Sequence, residues 1–173
     1  MSTGEPADPG REAIVAALER HGVEYVVIGG AAAQARGWPE PTDDIDLTPE
    51  RSQGNLSCLA AAVAELDAGF RVDPARYPDG YRPPDGIDWR TFRNQISVAF
   101  TTRHGNFDVV LLPDGTKGYE EIIATATRER LPGTAIVVPV ASAEMILHSK
   151  DAADRPKDHA VLDRMREALG LGD

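Results

Sequence analysis

Asp44 and Asp46 stand one residue apart in the run Thr42-Asp43-Asp44-Ile45-Asp46-Leu47, and a glycine pair, Gly29-Gly30, precedes Asp44 by a spacer of thirteen residues. In an extended segment side chains alternate between faces, so Asp44 and Asp46 share one side while Ile45 and Leu47 take the other. Two carboxylates held that close repel each other unless a cation lies between them. A divalent metal is such a cation, and Mg²⁺ takes few carboxylates and completes its shell with phosphate oxygens. A third acid, Asp108, falls in the apolar run FDVVLL, on the face opposite Phe107 and Val109. It joins the first two if its strand neighbours theirs. Gly29 and Gly30 supply the complementary half: bare backbone approaches a ligand closely, and N–H groups at a helix start favour an anion such as a triphosphate. Metal-binding acids beside phosphate-binding backbone imply a nucleotide. The plain alternative is a simple turn followed by a solvated edge strand.

Positioning these groups requires a scaffold, and the chain of 173 residues is long enough for one domain with a real core. The expected unit is 1–173, with a core over about 10–140 and closing helices over about 142–169. Asp8-Pro9, the apolar spacing of Ile14, Val15 and Leu18, and Gly22 predict a first helix with Asp8 as its cap. Residues 24–28 (EYVVI) predict a buried strand that ends at the glycine pair. Ala31, Ala32 and Ala33 suit a short, tightly packed helix, broken at Pro39-Glu40-Pro41. A second strand is expected around 43–48, a helix over 53–67, and a long surface loop over 71–89. ISVAFTT and FDVVLLP flank His104-Gly105-Asn106 and predict a β-hairpin. A helix over 118–129, a strand over 134–138 and helices over about 142–150 and 156–169 complete the reading.

Composition narrows the function. The formal charge is −10, with 28 Asp and Glu against 18 Lys and Arg. General nucleic-acid binding draws its affinity from cations on phosphates, so this balance weighs against it, whereas an acid excess suits a site that holds divalent ions. No apolar run spans a bilayer, the N-terminus lacks a basic stretch followed by an apolar one, and Cys58 is the sole cysteine. A soluble protein of a reducing cytoplasm, with no membrane partner, is expected. His21, His104, His148 and His159 show no metal-ligand spacing, and Cys58 reads as a core filler. Trp38 and Trp89 flank the loops around the site and have the chemistry to stack on a base, although a partly buried packing role is the stronger reading.

The Gly-Gly, spacer, Asp-x-Asp and later-acid pattern, from about Val26 to Leu112, resembles the signature of the DNA polymerase β-like nucleotidyltransferase superfamily. That resemblance implies an α/β (α+β) fold: a mixed central sheet flanked by helices, with a short C-terminal helical extension. It implies metal ligation by Asp44, Asp46 and Asp108, nucleotide binding at Gly29 and Gly30, and two Mg²⁺ ions, for which Mn²⁺ can substitute. The implied reaction moves a nucleoside monophosphate from a nucleoside triphosphate, such as ATP, to an acceptor hydroxyl.

In the C-terminal half, Lys150 continues the apolar stripe of Ile146 and Leu147, and Asp158 that of Val161 and Leu162. Charged groups on the inward side of helices need a reason. The segment SKDAADRPKD resembles the Lys and Asp motifs of abortive-infection (AbiEii-type) nucleotidyltransferase toxins, which implies that Lys150 contacts the nucleotide phosphates with Asp158 beside it, both in the catalytic set. A purely structural pairing that fastens two helices is the other reading; Arg155 and Lys157 are weaker candidates. Relatives of this kind often carry arginine where this chain has Glu40, and Arg36 is the candidate substitute. The toxin resemblance favours RNA or a tRNA 3′ end as acceptor, with a cognate antitoxin protein as partner. The acidic balance favours a small acceptor such as an antibiotic hydroxyl. A non-catalytic nucleotide-binding or antitoxin module is the third reading.

Overall fold

The computed structural model describes residues 6–72, 75 and 86–172. Helix α1 (Pro9–Arg20) begins where the Asp8 side chain accepts the Arg11 N–H at 2.9 Å, with Pro9 in the first turn. Strand β1 (Tyr25–Ile28) runs without a break into α2 (Gly29–Ala35). Strand β2 (Ile45–Pro49) leads to α3 (Gln53–Glu65), whose cap Ser52 accepts the Asn55 N–H. Then come β3 (Gly69–Phe70), a short α4 (Arg90–Arg93), and the hairpin β4 (Ser97–Thr102) and β5 (Gly105–Val110). The chain continues through α5 (Tyr119–Ile123), β6 (Thr127–Arg130), β7 (Val137–Val140), α6 (Ala143–Ala153) and α7 (Pro156–Ala168).

The strands form one seven-stranded mixed sheet in the order β3-β4-β5-β2-β1-β7-β6. β2 is central: antiparallel to β1 and parallel to β5, with Ile45 opposite Phe107, Asp46 opposite Asp108 and Leu47 opposite Val109. Ile45, Leu47, Phe107 and Val109 are all buried, so the alternation expected from the sequence places both acids together on the other face. Phe100 stacks on Phe107 with centroids 5.1 Å apart and touches Phe92 at 6.1 Å. Burying each of these rings stabilises the fold by about 2 kcal/mol. The long surface loop expected over 71–89 lies mostly outside the described residues; Arg71, at its start, extends the β3–β4 pairing through its N–H to Ala99 O at 2.9 Å.

The expected helix over 118–129 is corrected by the structure. Only Tyr119–Ile123 is helical, and Thr127–Arg130 becomes an edge strand paired with β7. The sequence Thr-Arg-Glu-Arg has no apolar side chain to bury against a helical neighbour, and charged residues are well suited to a sheet edge. The strand expected over 134–138 lies slightly later, because Thr134 closes a turn through its N–H and hydroxyl, both donated to Leu131 O. In the hairpin the turn residues are Arg103 and His104, and Gly105, at φ +122°, opens β5. Among the described residues no helix is long and apolar enough to cross a membrane.

Asn55 ties three elements together. Its Oδ1 accepts the Glu24 N–H at 2.7 Å, and its Nδ2 donates to Glu24 O at 2.8 Å and Glu50 O at 2.7 Å. The side chain is buried, so removing it strands those backbone groups away from water. Asn55→Ala is expected to lower stability by about 2–4 kcal/mol in urea unfolding, with an unchanged far-UV circular dichroism spectrum before the transition.

Candidate active site

The junction of β1 and α2 meets β2 at closest range where Ile28 lies opposite Asp46. Gly29 has φ +64°, and a Cβ there would stand 2.3 Å from Asp46 Oδ2. A Cβ on Gly30 would stand 2.8 Å from Thr42 Oγ1. Gly29 is therefore required both for a left-handed backbone and for clearance beside an acid, and Gly30 for clearance beside the Thr42 hydroxyl. Asp44 directly precedes β2 rather than lying within it, so its alignment with Asp46 is made by the incoming loop. That loop is braced: the buried Arg11 donates to Thr42 O at 3.0 Å, Pro132 O at 2.8 Å and Gln34 Oε1 at 3.1 Å, while Gln34 Nε2 donates to Glu40 O at 3.0 Å.

The strand register brings Asp108 beside Asp46, and the three acids meet in one corner. Burial, then the charges of Asp108 and Asp44, raise the Asp46 carboxyl from its ordinary 3.8 to about 6. Asp108 is also raised, by burial first, with Arg71 opposing and Asp44 adding. Arg71 joins the corner from the end of β3. Its Nη1 donates to Asp44 Oδ2 at 3.1 Å and its Nη2 to Asp108 Oδ1 at 2.5 Å. As the side chains stand, no group of three His, Cys, Asp or Glu among the described residues is arranged to hold a metal ion. The donor set nonetheless has the chemistry of a Mg²⁺ site: three carboxylates with hard oxygens on adjacent backbone, two of them already paired with a cation. Asp44, Asp46 and Asp108 would hold the ion once Arg71 yields.

Across the cleft, Lys150 on α6 donates from Nζ to Asp158 Oδ1 at 3.1 Å, and Arg155 Nε donates to Asp158 Oδ2 at 2.7 Å. Asp158 is buried. Burial alone would raise its carboxyl, but the hydrogen bond and charge of Lys150, followed by those of Arg155, carry it below the ordinary value. Lys150 and Asp158 thus pair, fastening α6 to α7, and both line the cleft. The cleft holds about 860 Å³ and is walled by the glycine pair, the three acids, the β5 exit and helices α6 and α7.

The other residues singled out in the sequence fall partly at the cleft and partly away from it. Arg36 does not substitute at the site: it donates to Ala141 O at 3.1 Å and Val140 O at 2.9 Å and pairs with Glu129, locking α2 to β7. Glu40 pairs with Arg164 of α7 at 2.9 Å. Trp38 lines the cleft but is packed, with Arg164 over its ring. Trp89 is not among the cleft residues and carries Arg90 and Arg93 on its ring. His21 and His159 pair with Glu65 and Asp154, His148 reaches Gly115 O and His104 reaches Arg103, all outside the acid corner. Cys58 is half-buried in α3. Arg71 and Arg11 were invisible in the sequence, since neither sits in a motif; only a strand ending at Phe70 would have aimed Arg71 at the acids.

No protein-family model matches the chain, and no curated protein matches it. Solved structures do. A lincosamide antibiotic adenylyltransferase, LnuA, in its lincomycin-bound form, is similar with a TM-score of 0.58 and 11% identity, over 95% of this chain and 99% of that one. The antibiotic-resistance factor ANT(2'')-Ia in solution is similar with a TM-score of 0.54 and 18% identity, over 94% and 86%. The same factor in complex with adenylyl-2''-tobramycin gives 0.52 and 21%, over 91% and 86%. The chain has the DNA polymerase β-like nucleotidyltransferase fold. On this nucleotidyltransferase fold the central β2–β5 pair carries Asp46 and Asp108, and the β1–α2 glycines face them.

The raised Asp46 carboxyl has a measurable consequence. Its folded-state value lies above its unfolded value, so the stability it contributes is complete below about pH 4 and is lost as pH rises through about 6. Asp46→Asn removes that loss. In EDTA at pH 7.5 the variant should be more stable than wild type by about 2 kcal/mol, with the gap closing toward pH 4, as read by urea titrations across that range.

Proposed function

We propose that this chain is a metal-dependent nucleotidyltransferase that moves a nucleoside monophosphate from a nucleoside triphosphate to a hydroxyl of a small, antibiotic-like acceptor. The observation that carries the reading is the Asp46–Asp108 register, with Asp44 alongside, opening on a cleft whose far wall bears Lys150. A Mg²⁺ ion bound by these acids supplies charge neutralisation for the triphosphate and acidifies an acceptor hydroxyl. Asp44, Asp46 and Asp108 would hold that ion, and the bare backbone of Gly29 and Gly30 leaves room for the phosphates beside them. Lys150 is anchored at the cleft wall by its bond to Asp158, where it meets the negative charge that builds on the leaving phosphates. The acceptor hydroxyl gives up its proton to solvent as its oxygen bonds the α-phosphorus and the bond to pyrophosphate breaks, with no covalent enzyme intermediate.

Three observations favour a small acceptor over RNA. The cleft volume falls within the range of small-molecule sites. Its rim offers the exposed apolar side chains Ile96 and Leu112, which suit a compact partly apolar molecule. The net charge of −10 opposes a polyanion. The fold neighbours act in the same direction, as antibiotic adenylyltransferase and resistance factor. The abortive-infection resemblance of SKDAADRPKD supports the roles of Lys150 and Asp158, while a tRNA acceptor and an antitoxin partner draw no support from those neighbours.

Incubation with each labelled nucleoside triphosphate, Mg²⁺ and either a panel of hydroxylated antibiotics or total tRNA decides the matter. Labelled small-molecule product is expected, reduced at least about 100-fold in Asp46→Asn and Asp108→Asn, and about 10- to 100-fold in kcat for Lys150→Met. Labelled tRNA in place of labelled antibiotic would replace the acceptor assignment. Undiminished transfer by Asp46→Asn would overturn the mechanism.

A further inference from the structure

Arg71 is delivered to the acid corner by strand pairing. Its N–H bonds Ala99 O at 2.9 Å, and Ala99 is the cross-strand partner of Asp108. One planar guanidinium therefore spans Asp44 and Asp108, while Asp46 forms no ion pair among the described residues. The oxygens that Arg71 occupies are the ones a divalent ion needs, and the two cations exclude each other. The contact is also breakable: the Arg71 side chain is 34% exposed, and its partners are 36% and 27% exposed. Partly solvated pairs of this kind are weak, unlike fully buried ones. A guanidinium freed from carboxylates finds an equal match in phosphate oxygens, which present the same forked geometry.

We infer that Arg71 is an exchangeable counterion: it holds Asp44 and Asp108 in the nucleotide-free protein and transfers to the triphosphate when metal and nucleotide enter together. The inference rests on the nucleotidyltransferase reading and adds to it a triphosphate-binding residue and an order of events. Free metal binds poorly, because it must break the Arg71 pairs with nothing gained. Metal complexed to a triphosphate binds well, because Arg71 exchanges one set of oxygens for another. The coupling is reciprocal, so metal strengthens nucleotide binding by the same factor that nucleotide strengthens metal binding.

The test compares wild type, Arg71→Gln and Arg71→Lys, each checked for folding by circular dichroism. Mn²⁺ alone is titrated by electron paramagnetic resonance, and a preformed Mn²⁺ complex of a non-hydrolysable ATP analogue by calorimetry. Arg71→Gln should bind Mn²⁺ alone at least tenfold more tightly than wild type, yet bind the Mn²⁺–nucleotide complex at least threefold more weakly. Arg71→Lys, which keeps the charge and loses the fork, should fall between them on both measurements. Unchanged Mn²⁺ affinity in Arg71→Gln, or an unchanged affinity for the complex, overturns the inference and leaves the nucleotidyltransferase reading intact. Failure of all three folded proteins to bind Mn²⁺ or its complex overturns both.

Discussion

The parallel pairing of β2 with β5 is the constraint on which the rest of this structure depends. Apolar pairs, Ile45 with Phe107 and Leu47 with Val109, bracket the Asp46–Asp108 pair, so the same register that seals the core sets two carboxylates side by side on the opposite face. A slip of one residue would put an acid into the core and an isoleucine into the cleft. Hydrophobic burial thus enforces an electrostatic arrangement that repels itself, and the Asp46 carboxyl is raised by its own burial first and by the charges of Asp108 and Asp44 after it.

The surroundings are adapted to that unfavourable corner. Gly29 lacks the atom that would collide with Asp46, Arg11 and Gln34 brace the segment that presents Asp44, and Arg71 supplies provisional positive charge. The opposite wall is built differently. Asp158 is balanced by two cations and carries a lowered pKa, so the α6–α7 side is electrostatically satisfied and keeps Lys150 in a fixed orientation. One wall carries the carboxylates and the other a lysine, which is the division that the proposed handling of a metal-bound triphosphate would need.

Much of this was legible in the sequence because it is local. The alternation around Asp46 and Asp108, the hairpin, and the Asp8-Pro9 start of α1 are all patterns within a few residues, and the Asp-x-Asp spacing after a glycine pair was distinctive enough to suggest the fold. What was not legible is order and partnership. Nothing local says that β2 lies between β1 and β5, yet that alone makes Asp108 a neighbour of Asp46. Arg71 borders a stretch rich in proline and glycine and reads as a solvated loop residue until its strand is paired. Arg11 resembles any helix-surface arginine, although it is buried and bonded to three other segments. The charged strand β6 has no apolar alternation of its own and reads as the end of a helix until its pairing with β7 is seen.

The central claim, that Asp44, Asp46 and Asp108 form one cation site facing a nucleotide, is tested most directly by crystallography of the protein with Mn²⁺ and a non-hydrolysable ATP analogue. The account predicts an anomalous Mn²⁺ peak between the three carboxylates and the triphosphate, with Arg71 withdrawn from Asp44 and Asp108. A nucleotide bound elsewhere, or a corner in which Arg71 still bridges the two acids beneath a bound triphosphate, would contradict it.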